Sequence, residues 1–261
     1  MTRLPLLRFP ALALVLLASA ACEIDFVPRA EAREEWKKTY TVDAGATLEI
    51  ENGNGTVTVR PGSGPDIEIV ATRIAKAGTD EEAKKLLADT KIDERASASN
   101  VRVSSRVSRV NWGGTQYQVN YEVRAPAGVA LTISATNGTV DVSGWTGRVE
   151  MSATNGTLEG RNLRGAVEAS STNGKIDISL DALHADGVSL ETTNGRIVVE
   201  MPRDAKARLQ ARVTNGAIEV DGLSADASPS NTRRRYEATI NGGGAPITIE
   251  TTNGAISVRG R

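Results

Sequence analysis

Residues 131 to 178 read LTISATNGTVDVSGWTGRVEMSATNGTLEGRNLRGAVEASSTNGKIDI, a stretch in which Thr-Asn-Gly returns every 18 residues. The same triplet continues beyond it. Asn-Gly occurs at Asn137-Gly138, Asn155-Gly156, Asn173-Gly174, Asn194-Gly195, Asn215-Gly216 and Asn253-Gly254, each time after a threonine, with spacings of 18, 18, 21, 21 and 38 residues. The last interval has the length of about two units. An outlying copy, Asn54-Gly55, follows Asn52-Gly53 near the start. Self-similarity at a short fixed period is the mark of a repeat architecture in which each unit buries its apolar face on its neighbours.

The side chains around each triplet say which face that is. Six and four residues before each Asn stand apolar pairs such as Leu131 and Ile133, Val149 and Met151, and Ile247 and Ile249. Three and five residues after it the pattern returns as Val140 and Val142, Ile176 and Ile178, or Ile256 and Val258. Each turn is therefore flanked by two strands of period 2 that send alternate side chains into one interior. Asn-Gly between alternating strands also signals a two-residue hairpin, and the phase of the apolar residues fits either arrangement. The near-constant repeat length favours stacked coils. Seven or eight of them, at the strand spacing of about 4.8 Å, predict a rod about 35 Å long.

The chain of 261 residues is long enough to bury a core, yet only 3% of it is aromatic, so that core must be built from Val, Ile, Leu and Ala on closely packed strands. One segment breaks the β pattern. Thr79 and Glu82 form a capping box, and Ala83, Leu86 and Leu87 share one helical face, which predicts a short helix over residues 79–89. That helix, or the strands before the repeats, is expected to cover one open end of the stack.

The first 21 residues hold Arg3, Arg8, an apolar run from Ala11 to Ala18 and then small residues, the pattern of a secretory signal peptide and too short to span a bilayer. Its removal leaves 29 basic residues against 32 acids, a charge of −3, so no basic surplus points to nucleic acid. Leu17 to Cys22 resembles a bacterial lipobox, whose cysteine is acylated, while Ala18-Ser19-Ala20 also offers an ordinary cleavage site. On the first reading Cys22, the sole cysteine, carries the lipid and residues 22–37 are a tether, followed by a β region with the helix at 38–124 and the repeated coils at 125–261.

The stretch Tyr121 to Ile133, the successive Thr-Asn-Gly coils and the late Gly242 to Gly254 segment resemble the bacterial putative-adhesin family of unknown function, over roughly residues 40 to 261. The resemblance implies an all-β, right-handed parallel β-helix of 18–21-residue coils on an envelope protein; it implies no activity.

Candidate sites follow from the columns that stacking would create. The Asn and Gly of each triplet read as a structural ladder, with Asn bonding to Asn and Gly supplying positive φ. Four residues after Asn the outward column is Asp141, Glu159 and Asp177, but Arg and Lys neighbours fit that column better than a metal does. His184 is the lone histidine and lies in a loop, and no nucleophile motif, phosphate loop or ligand set is present, so neither catalysis nor a cofactor is expected. Trp112 and Trp145, both in tight connections, are the candidate ligand contacts, and Arg233-Arg234-Arg235 reads as a solvated loop. The sequence thus points to a noncatalytic, lipid-anchored envelope module that binds a protein or polysaccharide surface. The alternatives are a carbohydrate-binding or carbohydrate-active β-helix and a periplasmic envelope-stress partner.

Overall fold

Seven Thr-Asn-Gly coils, or coil-like segments, stack in parallel, and the strands on either side of the corner form two faces around one apolar interior. A computed structural model describes residues 30–107, 115–228 and 231–261. The expected signal peptide, Cys22 and Trp112 lie outside them. In chain order the elements are β1 (Ala30–Thr41), β2 (Thr47–Pro61), β3 (Asp66–Ala77), α1 (Asp80–Asp89), β4 (Thr90–Ala96), β5 (Asn100–Val107), β6 (Gln116–Ala125), β7 (Ala130–Ser143) and β8 (Val149–Leu163). They continue with β9 (Val167–Asn173), β10 (Ile176–Leu180), β11 (Val188–Asn194), β12 (Ile197–Met201), β13 (Ala207–Asp221), β14 (Ala225–Ala227), β15 (Arg235–Ile240) and β16 (Ala245–Gly260).

The register decides between coil and hairpin. Asn137 lies opposite Asn155 in a parallel pair, and Asn155 opposite Asn173. The triplet is thus a corner that two coils share, not the tip of a hairpin. In β7 the buried positions are Leu131, Ile133 and Ala135 before the corner and Val140 and Val142 after it. Two consecutive outward residues, Thr136 and Asn137, shift the alternation by one, which bends the strand while both halves keep facing inward. Leu131, Ile133, Val140, Val142, Leu158, Ile176 and Ile178 all belong to a single core cluster. Each such side chain contributes about 1.5 to 3 kcal/mol on burial.

The order of the coils in space differs from their order in the chain. The stack runs β2, β7, β8, β9 with β10, β11 with β12, then β16, then β13. The last coil, β16, inserts in parallel between β11/β12 and β13. The 38-residue interval expected to hold about two coils instead holds β14 and β15, which run antiparallel and extend the first-half face beyond β13. Among the described residues the second half of β13 has no such cover, and Ile218 and Val220 there are half-buried, where the equivalent Ile256 and Val258 of β16 are buried.

At the other end β5 and β6 continue the two faces of β2 in parallel, and β4, β3 and β1 add to them antiparallel. Residues 30–37, expected in the tether, are the first part of β1. This strand pairs along all 12 of its residues with β3 yet exposes most side chains on both faces, so its sequence carries no period. Its charges, such as Glu34, Glu35, Lys37 and Lys38, also guard an open edge against pairing with another chain. The expected helix forms as α1, with the Thr79 hydroxyl accepting from the Glu82 amide and Ala83, Leu86 and Leu87 buried. Leu86 and Leu87 pack with Ala75 of β3, Val107 of β5 and Tyr117 of β6, so the helix bridges the two faces at this end.

The edge strands are clasped there by Tyr40, whose hydroxyl donates to Glu94, with Lys38 beside it at 3.2 Å. The hydrogen bond from Tyr40 is the main reason the Glu94 carboxyl lies below its ordinary range, while burial and the carboxylate raise the Tyr40 phenol. Glu94 therefore stabilises the fold above the carboxylate pKa of the unfolded chain, and that contribution is lost as pH falls through its lower folded value. Tyr40→Phe is expected to move the Glu94 pKa upward and to narrow this acid-side dependence, measured by NMR titration of the carboxyl carbon beside melting curves at pH 3 to 6.

Candidate functional site

The corner is the most regular feature of the surface. The Asn137 amide donates to Asn54 Oδ1 at 2.7 Å, Asn155 to Asn137 at 3.0 Å, Asn173 to Asn155 at 2.9 Å and Asn194 to Asn173 at 2.8 Å. The ladder then follows space rather than sequence, from Asn253 to Asn194 and from Asn215 to Asn253, both at 2.8 Å. Side-chain amides at strand spacing reach one another because each offers a donor and an acceptor in one plane. The outlying Asn54 is a full member of the ladder.

The expected positive φ is found at Gly55, Gly138, Gly216 and Gly254, with 140° at Gly138, while Gly156, Gly174 and Gly195 are not among the positive-φ residues. What the whole column shares is close approach. A Cβ on Gly174 would stand 1.6 Å from the carbonyl oxygen of Gly156, and one on Gly138 would stand 1.9 Å from that of Gly55. Only a residue without a side chain lets the corners stack.

Beside this corner the outer face of the first-half sheet is hollow. One groove of about 540 Å³ runs over β2, β7, β8 and β9, between the column Ser134, Ser152, Ser170 and the column Thr136, Thr154, Thr172. A second, of about 490 Å³, occupies the same columns on β11, β16 and β13, with Glu191, Glu250 and Arg212 on one side and Thr252 and Thr214 on the other. Small side chains next to the longer ones at the rim make the hollow. The threonines are exposed, and the Ser134 and Ser152 hydroxyls lie 2.9 Å apart.

The other predicted sites resolve differently. Trp145, expected as a ligand contact, is fully buried with its indole N–H donating to the Val129 carbonyl at 2.7 Å. It turns into the core because the return of the β7 coil needs a large side chain to close the interior, a place that Leu163 takes one coil on. The acidic column is in register, Asp141 opposite Glu159 and Glu159 opposite Asp177. Its members are engaged by cations: Asp141 by Arg60 at 2.6 Å and Arg161 at 3.2 Å, Glu159 by Arg161, and Asp177 by Lys175 at 2.5 Å. His184 is half-exposed and accepts from the Asp186 amide. In the arginine run, the Arg233 carbonyl accepts from the Ile218 amide at the open half of β13, and Arg235 pairs with Glu237 at 2.7 Å. The groove was missed by sequence reasoning; its signal is the serine three residues before Asn in three successive coils.

A profile of the family described as Toastrack DUF4097 matches residues 38–259. Among solved structures, the chain is similar to a putative cell adhesion protein of Clostridium sporogenes, with 14% identity and a TM-score of 0.50, over 87% of this chain and all of that one. A putative adhesin of Bacteroides fragilis aligns at 11% identity and a TM-score of 0.32, over 89% of this chain and 99% of that one. The first of these likenesses concerns the fold alone. None of the curated proteins compared with the chain matches it. Among the described residues no helix is long and apolar enough to cross a membrane.

The two parts of the corner make separable predictions. Gly174→Ala is expected to destabilise by about 3 kcal/mol or more, since backbone of the next coil must move. Asn155→Ala removes two exposed hydrogen bonds and is expected to cost about 1 to 2 kcal/mol. Urea unfolding followed by circular dichroism measures both, and a larger loss for Asn155→Ala would contradict the close-approach account.

Proposed function

The chain belongs to the Toastrack DUF4097 family, and from that premise we propose that it is a noncatalytic, adhesin-like module of the bacterial envelope, anchored by a lipid on Cys22. The observation that carries this reading is the division of labour across the strands. Inward positions hold nearly all of the large apolar side chains, while the outward columns carry hydroxyls, amides and ion pairs on a rigid, hydrogen-bonded frame. Such a frame presents a long polar surface to a protein or polysaccharide partner, with display rather than turnover as its mechanism. The coil path in this reading is right-handed, the hand taken by nearly all parallel crossovers.

The anchor also orients the rod. Seven residues lie between Cys22 and Ala30, and the eight steps from one to the other span about 28 Å at full extension, so the end bearing β1 and α1 stays near the bilayer and the β13 end is free to meet partners. Several acyl chains on one cysteine anchor stably where a single chain does not. Intact-mass analysis of the protein extracted from bacterial membranes is expected to show an acylated chain beginning at Cys22, and Cys22→Ser is expected to abolish both the added mass and membrane retention. An unmodified chain in the soluble fraction would sink the anchored reading.

A further inference from the structure

The two grooves beside the corner are segments of one trough, because the parallel register puts Ser170 of β9 opposite Glu191 of β11 and Thr192 opposite Thr251 of β16. From the β2 coil to the β13 coil it runs along the rod for about 29 Å, by the strand spacing of about 4.8 Å. Ala135 and Ala153 reach one groove from below, and Thr192 and Thr251 the other.

We propose that this trough is the binding site of the display module, and that its ligand is an uncharged, linear polysaccharide lying along the rod axis. The inference rests on the reading of the protein as a binding module and names its ligand class. Sugar hydroxyls donate and accept at once, as the serine and threonine hydroxyls that line the central trough do. Over β7, β8 and β9 the serine and threonine columns repeat at the strand spacing, so a chain of identical units meets the same groups on each of these three coils. The trough lining has no tryptophan or tyrosine to anchor a protein partner, and arginine, the third residue type enriched at interface hot spots, stands only at the β13 end. The carboxylates of the lining, Glu51, Glu191 and Glu250, are balanced by Arg212, Arg234 and Arg235, so the trough carries no net charge to select a polyanion or a polycation. Of the basic residues at the far end, Arg212 faces Glu250 at 3.8 Å and Arg235 pairs with Glu237. Without stacking rings each sugar contributes weakly, and affinity accumulates with the number of units engaged.

Affinity electrophoresis of the full mature chain tests this, with hydroxyethylcellulose, galactomannan and dextran as uncharged probes and polygalacturonate as the polyanion. At least one uncharged polysaccharide is expected to retard the protein, with oligosaccharides of two to three units at least tenfold weaker, and polygalacturonate without effect. Ser152→Tyr and, at an exposed position, Thr154→Tyr fill the trough and are expected to weaken binding at least tenfold with melting temperatures close to the parent's. Ser179→Tyr, on the outer side of the other face, leaves binding unchanged. Retardation by polygalacturonate alone, by none of the probes, or equally in the trough variants overturns the proposal. If the protein is then still retained on isolated bacterial envelopes, the display reading stands and the trough as its site falls; loss of both results removes the display reading as well.

Discussion

The distance between successive glycines at the corner is the constraint on which the rest of the structure depends. With the Gly156 carbonyl 1.6 Å from where a Gly174 Cβ would stand, coils meet at the corner without any side chain between them. Backbone contact there brings the flanking strands into register and sets the Asn side chains within 2.7 to 3.0 Å of each other. Register then places Leu131 over Val149 and Val140 over Leu158, so each inward side chain rests on its counterpart in the next coil. The hydrogen bonds of the ladder are modest individually, at about 1 kcal/mol. Their importance lies in excluding a slip of one residue, which would turn every apolar side chain of a strand to solvent.

The same uniformity explains why the chain does not stack its coils in order. Because every corner offers the same glycine, Asn and apolar phase, β16 fits between β11/β12 and β13 as well as any sequential neighbour would, and its Ile247, Ile249, Ile256 and Val258 are buried on both sides. The cost of closing the longer loop grows only slowly with its length. Placing the chain's terminal coil inside the stack lets β15 and β14 cover the first half of β13. At the opposite end the charged edge of β1 and the helix that spans β3, β5 and β6 do the corresponding work. Parallel stacks expose edges by construction, and this chain closes them with antiparallel strands and charge.

A thin core also governs the surface. With few aromatics, the protein spends Trp145 and Tyr121 inside, and the Tyr121 phenol is pushed up to about 12 by burial. The faces that remain are lined by short hydroxyl side chains near the corner and by paired charges away from it, as at Arg60, Asp141 and Arg161. A hollow next to the corner is a geometric consequence of serine and threonine standing where longer residues stand elsewhere in the same columns. The proposed function as a display module and the trough along its axis thus follow from the device that stacks the coils.

The sequence by itself determined what local periodicity encodes. The Thr-Asn-Gly repeat, the inward pairs around it, the Asn ladder and the capped helix were legible, since alternation and capping act within a few residues. Tertiary structure decided what depends on distant partners. Residues 30–37 carry no strand period because both faces of β1 are largely exposed, and their pairing with β3 is visible only in space. Trp145 stood in a loop by pattern, yet the closure of a coil draws it into the core. The close approach that requires glycine at every corner came from a neighbouring coil, in addition to the positive φ at Gly55, Gly138, Gly216 and Gly254. The position of β16 was hidden for the reason that made the repeat so clear: near-identical units specify how they pack, while which unit lies beside which is settled by the whole stack.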